Sequence, residues 1–231
     1  MDANRPWYFR RINLFRFLRP EQMESLRRQA EHRVYQRKQL VYKAQDDGDA
    51  LYLVEEGQVK LSRFDERGRE IILAILEAGE LFGEECLGGR GSRLAYAEAL
   101  CEARVAKFSR SEFDKLMHEN ADLSLAVARQ ISQHLLAAHA RLESLAFSNV
   151  PARLAETLLR LGEEHGRALP DGEVRIDLNL THQEIASLIA STRETTTTLL
   201  GKLRRQGLIR TEARRIILRD VGRLSRQAAQ G

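Results

Sequence analysis

The chain has 231 residues, enough for two modest domains with cores of their own. Its 37 Lys and Arg outnumber 33 Asp and Glu by a margin too small to define a partner, so the distribution of charge matters more than its sum. Two cysteines cannot build a disulfide framework, no apolar run approaches membrane-spanning length, and Met1-Asp2-Ala3-Asn4-Arg5-Pro6-Trp7 holds no signal-peptide core; the expectation is a cytoplasmic protein with no membrane partner.

A short helix is expected around Pro20–Ala30. Alternating runs bounded by turn residues follow. Leu51-Tyr52-Leu53-Val54-Glu55-Glu56-Gly57-Gln58-Val59-Lys60-Leu61 reads as strand, tight turn, strand, and Asp65-Glu66-Arg67-Gly68 as a turn leading into a strand over Ile71–Leu76. Glu77-Ala78-Gly79-Glu80 closes it. Strands recurring about every ten residues with glycine turns predict a sandwich, barrel or jelly roll. A roll of this kind also serves metal enzymes, which place paired histidines and a carboxylate on neighbouring strands. The six histidines are His32, His118, His134, His139, His165 and His182, and none falls between Tyr42 and Arg110. Metal catalysis in the roll is therefore not expected, and neither is an enzyme.

From Ala121 to Phe147 there is no Gly or Pro. Ala128, Ile131, Leu135, Ala138, Leu142 and Leu145 recur at alternating steps of three and four, which is the seam of a coiled coil between identical helices. Ser148-Asn149-Val150-Pro151 reads as a hinge, with Ser148 or Asn149 as cap and Pro151 in the first turn of the next helix, over Ala152–Glu164. A loop over Gly166–Gly172 and a short strand over Glu173–Asp177 come next.

Two short helices then meet at a tight turn. Ile185, Ala186, Leu188 and Ile189 supply the apolar side of the first, and Leu199, Leu200 and Leu203 that of the second. Ala186 and Ala190 are small enough for a close crossing, as in a helix-turn-helix. Ser191 and Thr192 are both N-cap candidates, and Ser191 with Glu194 fits a capping box. Left over at the start of the second helix are Arg193, Glu194, Thr197 and Thr198. Arg pairs in bidentate fashion with guanine, Glu accepts from cytosine N4, and Thr offers a hydroxyl and a methyl that suits thymine. Lys202, Arg204 and Arg205 follow where cations suit phosphates and the helix dipole. Arg210–Leu218, turning at Glu212-Ala213-Arg214-Arg215, reads as a wing hairpin whose Arg214 and Arg215 suit phosphate contact, and Asp220 should cap a last helix. From Thr181 onward ten Lys and Arg face four Asp and Glu, whereas residues 1–150 carry 23 of each sign.

Thr181, Glu184, Ile185 and Ala186, then Thr192, Glu194 and Thr195, then Leu199 or Leu200, Leu203, Gly207, Leu208 and Ile209 follow the pattern of the CRP/FNR family of bacterial transcription regulators, which the chain resembles over nearly its whole length. Gly57, Gly79, Glu80, Phe82, Gly83 and Glu84 match the glycine pattern of that family's cyclic-nucleotide-binding type of domain. Gln45 stands where an earlier turn usually has Gly, a role that Gly48 is expected to take. The resemblance implies an α+β fold. It has an amino-terminal antiparallel, jelly-roll-like β-roll (1–119), a long dimerisation helix (120–148) and a carboxy-terminal winged helix-turn-helix (149–231). It implies a homodimer on a palindromic site of double-stranded DNA, with RNA polymerase as a further partner. The expected DNA-binding residues are Thr181, Gln183, Thr192, Arg193, Glu194, Thr197, Thr198, Lys202, Arg214 and Arg215. Thr198 stands where the family usually has a second base-contacting Arg, so the preferred half-site should differ.

The same resemblance marks Gly83, Glu84, Arg93 and His139 as candidate effector-binding residues. Arg93 falls one residue early, Leu94 replaces the usual hydroxyl residue beside it, and Ala138 and His139 stand at the purine-contacting positions. Since each missing partner costs about 1–3 kcal/mol, a standard response to cyclic AMP is not expected. An iron–sulfur cluster needs four thiolates, which two cysteines cannot supply. Haem would need His139 or Cys86 as axial ligand, and a lone His near a helix interface is more often structural. Cys86 follows Glu84-Glu85, acids that should raise its pKa and blunt any redox role, and Cys101 reads as a buried strand residue. Another anionic metabolite, or no effector, remains. Two function classes stay open: a DNA-binding regulator, or a sensor module binding a nucleotide or anionic metabolite without DNA. The second has no use for Arg193, Glu194 and a basic wing.

Overall fold

In a computed structural model, residues 19–89 and 91–230 are described, so the Met1–Trp7 stretch weighed above lies outside them. The chain forms two compact units that part between Leu135 and Leu136. The first opens with α1 (Pro20–Gln29), followed by β1 (Glu31–Tyr35), β2 (Leu40–Tyr42), β3 (Ala50–Glu56), β4 (Gln58–Phe64), β5 (Glu70–Glu77), β6 (Leu81–Phe82), a 3-10 turn at Glu84–Cys86, β7 (Tyr96–Ala99), β8 (Ala103–Ser109) and α2 (Arg110–Glu119). These strands make two four-stranded antiparallel sheets, ordered β1-β8-β3-β6 and β2-β7-β4-β5.

The run Leu51–Leu61 is strand, turn and strand, but β3 and β4 do not pair; they belong to opposite sheets. The crossing is made at Gly57, whose φ is +79° and where a Cβ would meet the carbonyl oxygen of Glu102 at 2.2 Å. Only glycine fits. The β4–β5 hairpin turns at Asp65, whose Oδ1 accepts from the backbone N–H groups of Arg67 and Arg69, both at 2.9 Å. Side chains from both sheets, among them Val54, Val59, Leu76, Phe82 and Val105, fill the space between them, whereas Leu51 and Phe108 face the other way and pack with Phe113 of α2 in a second core.

Several sequence expectations change here. Gln45 keeps its turn by adopting φ +71° itself, and Gly48 packs instead against the backbone of Gly91 and Ser92. Cys101 is half-buried in the turn between β7 and β8, because the strand ends at Ala99. Cys86 is buried, and its thiol is pushed up to about 11, first by burial and then by Glu85, against Arg93. That is an inert thiol at neutral pH.

The long helix α3 (Ala121–Phe147) matches the expected stretch. Leu123, Ala126, Val127 and Gln130 are buried on one side of it, whereas Ile131, Leu135, Leu142 and Leu145 remain 36–63% exposed. Ala128 and Ala138 are exposed as well.

The second unit runs α4 (Val150–Glu164), β9 (Gly166–Ala168), β10 (Val174–Ile176), α5 (His182–Leu188), α6 (Arg193–Arg205), β11 (Ile209–Glu212), β12 (Arg215–Leu218) and α7 (Val221–Ala228). Asn149 caps α4 through its Oδ1 and the Ala152 N–H at 3.0 Å, with Pro151 in the first turn. Asp220 caps α7 in the same way at 2.8 Å. The segment expected as a loop contains β9, which pairs with β10 and completes a sheet ordered β11-β12-β10-β9. The wing turns on Ala213 and Arg214, both at positive φ, as a two-residue hairpin matched to strand twist requires. No described helix is long and apolar enough to cross a membrane.

Candidate functional site

The second unit holds the densest concentration of predicted site residues. Thr181 and Glu184 form the capping box of α5: the Thr181 hydroxyl accepts from the Glu184 N–H at 3.1 Å, and the Glu184 carboxylate accepts from the Thr181 N–H at 2.6 Å. The helix ends in a turn at Ala190, whose φ of +48° lets the Ser191 N–H reach back to the Ala186 carbonyl at 3.0 Å. That closure commits Ser191 to the turn, so Thr192 caps α6, accepting from the Thr195 N–H at 3.2 Å. The box expected of Ser191 and Glu194 does not form, and Glu194 is left exposed.

Thr196, Leu200 and Leu203 are buried beneath α6. Above them run two exposed i, i+4 rows at the helix start, Arg193 with Thr197 and Glu194 with Thr198, the latter continuing to Lys202. The His182 ring Nδ1 lies 2.8 Å from the Thr197 Oγ1 and ties the first turn of α5 to this face. Gln183 is exposed beside it. The Thr181 and Thr192 hydroxyls, both expected to touch DNA, are engaged in caps. Arg214 is exposed at the wing tip, while Arg215 is half-buried and pairs with Asp177 at 3.6 Å. At the root of the wing, Arg210 and Arg219 hold Glu173, Arg210 leading in keeping its carboxyl below the ordinary range.

Two arginines that sequence reasoning passed over fix α5 from behind. Arg141, on the last turns of α3, donates to the carbonyls of Leu188 at 2.7 Å and Ser187 at 3.4 Å, and Arg153 of α4 donates to that of Ile189 at 3.0 Å. These are the carbonyls a helix C-terminus leaves without partners, where the dipole also favours cations. Burial, and then Arg160, lowers the Arg141 guanidinium to about 10, still charged at neutral pH.

The first unit brings Gly83, Glu84 and Arg93 together. Arg93 is 2% exposed. Its Nη1 donates to the Gly83 carbonyl at 3.1 Å and lies 3.4 Å from the Glu85 carboxylate, while Nη2 donates to the Ala50 carbonyl. Its guanidinium stands 4.6 Å from the ring centre of Tyr42 and 5.2 Å from that of Tyr52, rings that pack with Phe82. Gly83 has φ +80°, and a Cβ there would meet Arg93 Nη1 at 2.6 Å. Glu84 faces His134 instead of an open site, its Oε1 3.1 Å from Nδ1. Burial opposes protonation of His134, but Glu84, with Glu80 behind it, outweighs burial and raises the pKa. One turn away, Gln130 donates to the Leu81 carbonyl at 2.7 Å and accepts from the Leu81 N–H at 3.3 Å. His139 is exposed and belongs to the second unit; the helix histidine that meets the Gly83–Glu84 turn is His134, five residues earlier. Among the described residues no group of three or more His, Cys, Asp or Glu gathers to hold a metal ion.

Comparison with known proteins agrees with this division. Residues 32–120 match the family model of the cyclic nucleotide-binding domain, and residues 152–227 that of the Crp-like helix-turn-helix domain. The chain is similar to the CRP-like cAMP-activated global transcriptional regulator of Mycobacterium tuberculosis, 29% identical across 94% of this chain and 97% of that one. It is also similar to the global nitrogen regulator of a Synechocystis species, 34% identical across 84% and 86%. Among solved structures, a CRP/FNR-family transcriptional regulator of Thermus thermophilus superposes with a TM-score of 0.69 at 33% identity, over 86% of this chain and 98% of that one.

Proposed function

The chain belongs to the CRP/FNR family of transcription regulators, and from that premise we propose that it controls transcription as a homodimer, reading a two-fold symmetric site on double-stranded DNA. The observation that carries the reading is the exposed Arg193–Glu194–Thr197–Thr198 face at the N-terminus of α6, mounted on buried Thr196, Leu200 and Leu203. Side chains at that end of a recognition helix are the ones that reach base edges in a major groove. Gln183, Lys202, Arg214 and the caps Thr181 and Thr192 border the same unit and serve the phosphates, with Arg215 held by Asp177. The exposed apolar seam from Ala128 to Leu145 supports self-association. Isologous pairing there sets two recognition helices about one helical turn of DNA, ~34 Å, apart.

In this reading residues 1–119 are the effector-type roll, 120–148 the dimerisation helix and 149–231 the DNA-binding part. The protein is cytoplasmic, engages RNA polymerase at its promoters, and is not an enzyme. The roll does not fit cyclic AMP in the family's manner. Arg93 donates inward to two backbone carbonyls, Leu94 replaces the hydroxyl residue, and Glu84 is taken by His134. Two cysteines cannot ligate an iron–sulfur cluster.

Binding-site selection from random duplexes, followed by a gel shift on the selected sequence, tests the proposal. A palindromic site retarded by a dimer is the expected result. Failure of the purified dimer to retain any duplex would leave only a sensor module without DNA.

A further inference from the structure

Arg93 is the largest fully buried side chain among the described residues, and no part of its side chain is exposed. Buried arginines usually answer a carboxylate or a bound anion. This one is answered mainly by backbone and rings. Its two terminal nitrogens are bound by the carbonyls of Gly83 and Ala50, with Glu85 alongside at 3.4 Å. Its faces lie against Tyr42 and Tyr52. Only Nε finds no hydrogen-bond partner among the described residues.

The backbone of Arg93 is held too. Its N–H donates to the Asp46 carbonyl and its carbonyl accepts from the Gln45 N–H, both at 2.9 Å. One residue thus joins the Gln45 turn, β3, the Gly83 turn and the 3-10 turn. All of these segments belong to the stretch that matches the cyclic nucleotide-binding domain. The surroundings also disfavour an anion, since the Glu85 carboxylate already borders the guanidinium at 3.4 Å and a bidentate clamp would need both terminal nitrogens released from carbonyls.

We infer that Arg93 is an internal ligand, its guanidinium holding the roll closed in the place of a small-molecule effector, so that DNA binding by this chain does not wait on one. The inference deepens the function proposed above and rests on it for its DNA arm alone. The roll is a cation site built from two carbonyl groups, one carboxylate and two tyrosine faces, filled by the chain itself. With Arg93 truncated, the same site accepts a free alkylguanidinium.

The test uses the full-length protein and its Arg93→Ala variant, read by thermal unfolding without DNA and by affinity for the selected duplex. In the wild type, millimolar cyclic AMP, cyclic di-GMP or inorganic phosphate should leave the midpoint and the DNA affinity unchanged. Arg93→Ala should lower the midpoint by roughly 10 °C. Millimolar ethylguanidinium should recover much of that loss, and equal ethylammonium should not. A tenfold gain in wild-type DNA affinity with any of the anions, or a midpoint several degrees higher, overturns the inference. So does an Arg93→Ala protein as stable as the wild type, or rescue by ethylammonium as good as by ethylguanidinium. If the variant does not fold, the wild-type arm decides. The unfolding arm involves no duplex, so a chain that binds no DNA fails the proposed function without touching this result.

Discussion

The His182 ring nitrogen and the Thr197 hydroxyl, 2.8 Å apart, connect the first residue of α5 to the exposed face of α6. One proton, from the ring or from the hydroxyl, joins them and holds the Thr197 hydroxyl oxygen in place before any DNA arrives. A hydroxyl so fixed presents its methyl and remaining hydrogen-bonding capacity in one orientation. Thr197→Ala and His182→Ala should each weaken binding to the selected duplex by about 1 kcal/mol, with the double variant no weaker than the worse single. Additive losses in that cycle would show that the two residues act independently.

Arg193 begins α6, is exposed, and pairs with no acid among the described residues. Arg193→Ala should cost about 1–3 kcal/mol in DNA affinity and relax selection at one base pair of each half-site. Site selection repeated with the variant checks this, and an unchanged consensus removes Arg193 from base reading. Thr198 is shorter than an arginine, so the wild-type consensus should be less guanine-rich at its position than that of a relative with Arg there.

Leu135 and Leu142 lie two turns apart on α3, 54% and 63% exposed, beyond the helix's buried residues, which end at Gln130. Burying each fully against a partner is worth about 1.5–3 kcal/mol, and a carboxylate there meets its own copy across a two-fold axis. Leu135→Asp with Leu142→Asp should give a monomer by sedimentation equilibrium, with thermal stability of each unit retained and palindrome affinity falling at least a hundredfold. A variant that sediments as a dimer places the interface elsewhere.

What the sequence disclosed follows from the range of the interactions involved. Asp220, and one of Ser148 and Asn149, were legible as caps because cap chemistry is settled within four residues, whereas Thr181, expected only at the DNA, also caps α5. Ser191 and Thr192 offered equal hydroxyls, and the choice fell to the backbone of Ala190, whose positive φ no periodicity shows. β9 has no alternation to display; Gly166-Arg167-Ala168 is a strand because β10 lies beside it. The antiparallel roll could be foreseen from its glycine turns, yet the crossing at Gly57 between sheets depends on the carbonyl of Glu102, 45 residues on. In the roll, Gly83, Glu84 and Arg93 were found through a family pattern. His134 was not, since its pairing with Glu84 spans 50 residues and one helix register cannot be told from another without the neighbouring strand.

The His134–Glu84 pair makes the first unit sensitive to pH. Its native pKa is raised above the ordinary 6.5, since Glu84 and Glu80 outweigh the cost of burial. A group raised on folding stabilises fully below its unfolded value, and the benefit is lost as pH climbs through the native value. Wild-type resistance to urea should therefore fall as pH rises above the ordinary histidine value of about 6.5, more steeply than that of His134→Gln. Parallel curves for the two proteins would mean that the pair carries no net proton linkage.

Thr196 sits in the middle of the recognition helix with no exposed surface, and its Oγ1 finds no hydrogen-bond partner among the described residues. A buried helical threonine ordinarily turns its hydroxyl to the carbonyl four residues back. Here that bond is absent, and the group has been taken out of water without return. Valine has nearly the same shape and comparable helix propensity, so Thr196→Val removes only the stranded hydroxyl. The variant should unfold at higher temperature, by about 1 kcal/mol of added stability in the second unit, with the selected DNA site unchanged. Lower stability would reveal a partner for the hydroxyl, and a changed consensus would mean that Thr196 turns outward on DNA, a motion that the burial of Leu200 and Leu203 on the same face opposes.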